Sequence, residues 1–310
     1  MLPANEMRGR VRVGPAGWQY ADWSGVVYPA PRPAGFDALV YLSSYFDLIE
    51  INSTFYRVPS RETCASWAQR VSHRRDFGFS AKVPQTFTHG AEAPDGAAID
   101  AFKRAVAPLY DEGRLVCLLA QFPWSFKDTA SSRDRIQLLH DRFRPLPLAV
   151  ELRHGGWSER GAWDFLAGTG ITVCGIDQPL IGHSLRPFRH LAGSAGVYFR
   201  LHGRNARNWF ARDAGRDARY DYHYSSAELQ PWAEAIARAA AAGPSVSVVL
   251  NNHFRGQAPA NAFELMAMLS GESVPAPAPL RKAFPSLAQA TVTAPPAGPT
   301  AGDSLFDGLD

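Results

Sequence analysis

The chain has 310 residues, of which 46% are hydrophobic and 20% are charged, so it can bury a large core as one domain or two. A membrane-spanning helix needs an uncharged apolar run of about 18 residues, and the chain contains no run close to that length. No secretory signal is visible either, so we expect a cytoplasmic protein without a membrane partner. The net charge of +3 permits an anionic ligand but does not demand nucleic acid.

Short apolar runs follow one another along the chain, and each has the composition of a strand that is buried on both faces. These runs lie at residues 11–14, 48–51, 77–81, 115–119, 148–152, 171–176, 197–201 and 246–250. Helical patterns alternate with them, and several begin with serine and an acidic residue, which is a typical start signal. The predicted helices are 36–46, 60–71, 97–110, 131–143, 158–167, 225–242 and 260–269.

This rhythm of strands and helices over roughly 260 residues predicts an α/β fold, the (β/α)8 TIM-type barrel. A doubly wound open sheet is the alternative. Such a sheet usually carries a G-x-G-x-x-G loop after its first strand, and the segment Gly14-Pro-Ala-Gly17 does not match that motif.

The last part of the chain differs in composition from the rest. Proline and alanine crowd residues 272–310, which predicts a flexible, disordered tail after a barrel domain of residues 1–271. The tail ends in a short acidic and hydrophobic tip. A docking peptide is the alternative interpretation of this tip, with Leu305 and Phe306 entering a groove of a partner.

Polar residues gather at the carboxyl ends of the predicted strands, where a barrel places its chemistry. Alternation puts Glu50 with Asn52, and Glu151 with Arg153, on one face of each strand, and we expect these faces to point into the barrel mouth. The structural alternative is a salt-bridge network that closes the barrel top. The candidate substrate-binding residues are Trp18, Asn52, Tyr56, Lys82, His89, Gln121, Arg153, Arg200, Asn251, Asn252 and His253.

Four further residues are candidates for catalysis, namely Glu50, Glu151, Asp177 and His202. The last three end consecutive strands, and carboxylates with one imidazole suit Mg, Mn or Zn, so they form a candidate divalent-metal site. Without a metal, Glu151 or Asp177 is the candidate general base and His202 the proton shuttle. Arginines at the same rim would stabilise negative charge and weaken cation binding.

Lys82 has two possible roles in this scheme. A desolvated lysine can form a Schiff base with a carbonyl substrate. Because Lys82 is predicted to lie beside Glu50, we expect it instead to be a structural lysine held in a salt bridge with that carboxylate.

Several motifs carry a family resemblance. They include Glu50-Ile-Asn-Ser-Thr-Phe-Tyr-Arg57, Glu151-Leu-Arg-His154, Tyr198-Phe-Arg-Leu-His-Gly203 and Asn251-Asn-His-Phe254. In order and spacing, the chain from about residue 11 to 269 resembles the YecE-like family, also called domain-of-unknown-function family 72. The resemblance implies a β/α barrel and no established reaction.

The residues at the mouth favour a hydrolase that acts on a phosphate-bearing substrate, either with a divalent metal or by acid-base chemistry without one. One alternative is a non-catalytic barrel that binds an anion or another small molecule, which would follow if permanent ion pairs left no free base. Another is a nucleic-acid-processing protein similar to endonuclease IV, with arginines between residues 200 and 219 contacting phosphates.

Overall fold

A parallel eight-stranded sheet with helices between its strands forms the centre of the molecule. The computed structural model describes residues 11–187, 196–209, 211 and 217–294. The strands, β1 to β8 in chain order, are Val11–Pro15, Leu48–Ile51, Gly78–Lys82, Leu115–Gln121, Leu148–Glu151, Thr172–Asp177, Val197–Leu201 and Val246–Leu250. From β2 to β8 each strand pairs with the next along the chain, and β8 pairs with β1.

The first and second strands approach each other at a glycine, and this contact brings the sheet round into a nearly closed barrel. A Cβ atom on Gly14 would lie 1.6 Å from the carbonyl oxygen of Leu48, so a larger residue does not fit here. Beyond it, the N–H of Gly17 donates to the carbonyl oxygen of Glu50 at 2.8 Å. The predicted (β/α)8 TIM-type fold is confirmed, and the open doubly wound sheet is not formed.

Every predicted helix is present, with ends that differ by a few residues. Side-chain caps fix several starts: Ser60 accepts from the N–H of Thr63, and Ser225 and Glu228 form a reciprocal capping box. The helices, α1 to α10, are Ala38–Ser43, Arg61–Arg70, Gln85–His89, Gly96–Asp111, Ala130–Phe143, Arg160–Gly168, Ala206–Trp209, Ser226–Ala241, Gln257–Ser270 and Ala278–Ala283. None of these described helices is long and apolar enough to cross a membrane.

The segment after α9 is folded as far as Thr293, so the predicted flexible tail does not begin at residue 272. Strand β9 (Val274–Ala276) pairs in parallel with β10 (Thr291–Thr293), and α10 lies between them. Leu280 and Leu287 are fully buried, so a few apolar side chains anchor a stretch whose proline and alanine content suggested disorder. Residues 295–310, including the predicted docking residues Leu305 and Phe306, lie outside the described residues.

The order of this segment can be tested with one buried and one exposed position on the same short helix. Replacing Leu280 with alanine removes a fully buried side chain, and we expect it to cost about 2–5 kcal/mol of unfolding free energy. The melting temperature, measured by circular dichroism, should fall by about 5 °C or more. Lys282→Ala, at an exposed position of α10, is the matched control. Equal melting temperatures for the two variants would contradict the packed segment.

Candidate functional site

A buried arginine links three strands at the carboxyl end of the barrel. The guanidinium of Arg200, on β7, donates from Nη2 to Oε1 of Glu50 at 2.6 Å and from Nη1 to Oε2 of Glu151. Both carboxylates are fully buried and the arginine is 1% exposed. Glu50, Glu151 and Arg200 stand on three different strands and meet one another, so all three side chains point into the barrel, as predicted.

Below this ion-pair cluster lies a second polar layer, which the sequence reasoning missed. The hydroxyl of Tyr198 donates to Oε2 of Glu50 at 3.0 Å, and the hydroxyls of Ser80 and Tyr198 are 2.6 Å apart. Each lies two residues before a predicted site residue on the same strand, Tyr198 before Arg200 and Ser80 before Lys82. The two-residue period of a strand was the signal that could have found them.

The outer side of Glu151 is also occupied. Its Oε1 accepts from Nε of Arg153 at 2.9 Å and lies 3.2 Å from Nε2 of His202. Nδ1 of His202 lies 3.0 Å from Nδ2 of Asn251. Burial lowers the pKa of His202 to about 3, so the ring is neutral, with Nε2–H facing the carboxylate and Nδ1 accepting from the amide.

The charge state of Glu151 follows from these neighbours. Burial is the largest influence and opposes ionisation, but Arg200, with smaller contributions from His202 and Arg153, outweighs it, so the pKa of Glu151 lies well below its ordinary value. The carboxylate is thus an ionised, fully engaged acceptor. The alternative of a non-catalytic binding barrel depended on this condition, in which permanent ion pairs leave no carboxylate free to act as a base.

Lys82 differs from the prediction in its partners. In the structure, Oε1 of Glu50 accepts a hydrogen bond from Arg200, and Lys82 makes no ion pair with any described residue. Its Nζ instead donates to Oε1 of Gln121 at 2.8 Å and lies 3.9 Å from the ring centroid of Phe55. The predicted Glu50–Lys82 salt bridge is wrong, because the guanidinium reaches that carboxylate from the opposite side of the barrel.

The environment of Lys82 makes its amine easy to deprotonate. Burial, followed by the positive charge of Arg200, lowers the pKa of Lys82 to about 7, against an opposing influence of Glu50 and Glu151. At neutral pH the side chain is therefore divided between ammonium and free amine. Burial, followed by Lys82, also lowers the pKa of the neighbouring His89 to about 4.

The opening above Lys82 is bordered by partly exposed polar side chains. Gln121 and Arg153 are both intermediate in exposure, and the guanidinium carbon of Arg153 lies 5.7 Å from the ring centroid of Trp209. Asn52 follows β2 and begins a single 3-10 turn. Tyr56, at the end of that turn, is 67% exposed.

Asp177 does not join the cluster. In the register of β6 and β7, Ile176 lies beside Arg200 and Asp177 lies beside Leu201. Since residues side by side in parallel strands point to the same face, Asp177 faces the helices. Its carboxylate accepts from Nε of Arg204 at 2.9 Å, and burial raises the pKa of Asp177 against the pull of that arginine.

The predicted metal ligands do not fit a metal ion. Glu151 and His202 touch each other, but Asp177 lies on the other face of the sheet, and guanidinium groups occupy both oxygens of Glu151. Across the described ranges, no group of three His, Cys, Asp or Glu side chains is placed to hold a metal. We therefore derive no chemical step through Mg, Mn or Zn.

Three predicted binding residues serve the framework instead. Trp18 packs edge-on against Trp67 of α2, with ring centroids 5.5 Å apart. Asn252 donates to the carbonyl oxygen of Tyr222 at 2.8 Å and to Asn261 of α9. The ring of His253 stacks on Tyr20 at 4.5 Å between centroids, at the rim of the barrel.

Comparison of the sequence with known protein families identifies the family of this barrel. Residues 12–283 match the family described as "Protein of unknown function DUF72". The chain belongs to this family. The YecE-like resemblance is thereby confirmed, since the two names denote the same family.

Relatives of the DUF72 chain share the whole barrel. The UPF0759 protein YunF of Bacillus subtilis is 26% identical over 273 residues, which are 84% of this chain and 95% of YunF. A DUF72 crystal structure from Thermotoga maritima is 32% identical, with a TM-score of 0.73 over 84% of this chain and 99% of that one. Another from Enterococcus faecalis is 26% identical, with a TM-score of 0.72 over 84% and 95% of the two chains.

The central arginine of this DUF72 barrel is open to a direct test. Arg200→Met leaves two buried carboxylates without their shared guanidinium, and we expect a loss of about 3–5 kcal/mol of unfolding free energy in urea. Glu151 then loses the largest of the charges that lower its pKa, and burial, which raises that pKa, favours the protonated form. The variant's deficit should therefore grow as pH rises from about 5 to about 8.

The control for this test is Arg238→Met, which removes an exposed arginine 3.9 Å from Glu234 on α8. Its unfolding free energy should match that of the wild type. A deficit in Arg200→Met that is the same at both pH values would contradict the assignment of unpaired buried carboxylates.

Proposed function

We propose that the carboxyl-terminal mouth of the barrel is the active site of an enzyme for a small anionic, phosphate-bearing substrate, with the amine of Lys82 as its reactive group. The observation that carries the proposal is the position of Lys82. It is a nearly buried lysine at a strand end that is held by an amide oxygen and not by a carboxylate. Catalytic groups often have strongly shifted pKa values, and a barrel of this type places them at the carboxyl ends of its strands.

The hydrolase predicted from the sequence relied on carboxylates as bases or metal ligands. Glu50 and Glu151 are now bound to arginines, and Asp177 is bound to Arg204. A base tied to a guanidinium accepts a proton poorly, because its ionised form is the stabilised one. We therefore assign the chemistry to Lys82 and give the carboxylates the task of holding Arg200 in place.

An anionic substrate suits the charges at the opening. Arg153, Arg200 and protonated Lys82 face Glu50 and Glu151, so cations outnumber carboxylates in a region largely shielded from water. Arg153 is the partly exposed member; its Nε and Nη2 face Glu151, so a phosphate or carboxylate oxygen would be met by Nη1 and by the positive charge of the guanidinium. This supports a phosphate group seated beside Arg153.

The predicted alternatives have less support from the described residues. A binding barrel without chemistry explains the paired carboxylates, but it gives no reason for a lysine with a lowered pKa. The nucleic-acid alternative relied on arginines between residues 200 and 219. Of these six, Arg200 and Arg204 are bound to carboxylates, and Arg212 and Arg216 lie outside the described residues. Arg207 is exposed and Arg219 partly exposed, so these two are the described arginines that a phosphate could contact.

The state of Lys82 can be measured without knowing the substrate. Trace acetylation with acetic anhydride, followed by peptide mass spectrometry, reports the free-amine fraction of each lysine. Because the amine reacts only when unprotonated, labelling of Lys82 should rise with pH and reach half its maximum near its pKa of about 7. Lys103, whose Nζ donates to two backbone carbonyls away from the mouth, is the internal control. Identical pH profiles for the two lysines would contradict the proposal.

Anion binding gives an independent measurement. We expect inorganic phosphate to raise the melting temperature of the wild type, since a ligand that binds only the folded state stabilises it. Arg153→Met should abolish this shift. Arg61→Met, at an exposed surface pair with Asp111, should retain it. An equal phosphate effect in all three proteins would place the anion elsewhere.

A further inference from the structure

The hydrogen bond of Lys82 leaves its nitrogen available for reaction. The amide oxygen of Gln121 is a neutral acceptor, so it takes one N–H without demanding a positive charge. A carboxylate partner would have favoured the ammonium form. The free amine that remains keeps its lone pair, and the contact with Gln121 restricts where Nζ can lie.

Burial is the main cause of the lowered pKa of Lys82, and the charged groups around it act in both directions. Arg200 on β7 and Arg153 after β5 disfavour a further positive charge, whereas Glu50 and Glu151 favour it. His89, at the end of α3, faces the same region with its own pKa lowered to about 4 and is therefore neutral. A lysine that is desolvated and placed near other cations is the arrangement that activates an amine as a nucleophile.

We infer that Lys82 is a covalent catalyst that forms a Schiff base, and that the substrates are small ketones or aldehydes carrying a phosphate or a carboxylate. The inference rests on the proposed function and adds the reactive group of its substrate. The geometry that carries it is a nearly buried amine at the mouth, held by Gln121, in a rim where arginines can take the anionic group.

The covalent step balances without a cofactor. The lone pair of Nζ attacks the carbonyl carbon, and the π electrons of the C=O bond move to oxygen, which takes up a proton. The resulting carbinolamine loses its hydroxyl group as water after a second protonation, while nitrogen gives up one of its two protons. The product is a protonated imine, formed from amine, carbonyl compound and one net proton with release of one water.

Gln121 has a defined task in this sequence. Its Oε1 accepts an N–H from the free amine, and the same oxygen can accept the remaining N–H of the protonated imine. The positive imine nitrogen then draws electrons from a bond next to the former carbonyl carbon. Gln121 is thus a positioning residue, and Gln121→Leu should slow imine formation while leaving Lys82 as its site.

Reductive trapping tests the inference on the intact wild-type chain. The protein is incubated at neutral pH with cyanoborohydride and one of three ketones: dihydroxyacetone phosphate, pyruvate or uncharged acetone. Trapping adds the mass of the ketone less one oxygen atom. Peptide mapping should place this mass on Lys82, and the two anionic ketones should label it about ten-fold faster than acetone.

Comparison of the labelling rates of the three ketones identifies the anionic group of the substrate. Faster labelling by dihydroxyacetone phosphate assigns a phosphate-bearing substrate, and faster labelling by pyruvate assigns a carboxylate. Arg153→Met should remove the advantage of the anionic ketones and retain slow labelling by acetone. Lys103→Met, which changes a lysine away from the mouth, should leave labelling of Lys82 unchanged.

The outcomes separate the inference from the proposal on which it rests. If no ketone labels Lys82, or if label spreads evenly over Lys82, Lys103, Lys127 and Lys282, the Schiff base is overturned. When acetylation still finds a free amine near neutral pH and phosphate still binds, the proposed function survives that result. When acetylation finds no such amine, both fall. Mapping on the wild type keeps the test decisive even if Lys82→Met fails to fold.

Discussion

The fold and the candidate site both depend on one buried guanidinium between two buried carboxylates. Arg200 ties β7 to β2 and to β5, none of which pairs directly with another of the three in the sheet. Charges removed from water are tolerated only when they are paired and hydrogen-bonded. The hydroxyl of Tyr198 and the ring of His202 supply further contacts to Glu50 and Glu151. The upper barrel is therefore filled by a polar network where many barrels of this type place branched apolar side chains.

This network decides which groups remain available for chemistry. A carboxylate that balances a buried arginine is unsuited to proton transfer, so the fully buried acids support the site without acting in it. Lys82 sits just above the same cations without an acid of its own. Burial, together with the charge of Arg200, lowers the pKa of this amine to about 7, so the same network can stabilise the barrel and border the amine that we propose to be reactive.

Sequence patterns predicted the strands, the helices and the inward face of Glu50, Glu151 and Arg200, because alternation and hydrophobic runs are local properties. They could not predict which cation would meet which acid, since Lys82 and Arg200 are both within reach of Glu50 and only the barrel's curvature decides. Asp177 was misplaced because its position at a strand end was given more weight than its alternation with Ile176. The ordered segment around Leu280 was missed because composition outweighed a few anchoring side chains.

A chain of contacts from the second polar layer up to Lys82 explains why the reactivity of this amine depends on residues that do not touch it. Ser80 contacts Tyr198, Tyr198 donates to Glu50, and Glu50 and Glu151 hold Arg200, whose charge adds to the effect of burial in lowering the pKa of Lys82. A change at Tyr198 would therefore reach the amine through Glu50 and Arg200, without any contact with a substrate. We expect loss of either carboxylate to release the arginine and so to alter the free-amine fraction of Lys82, in addition to the larger effect that burial has on this amine.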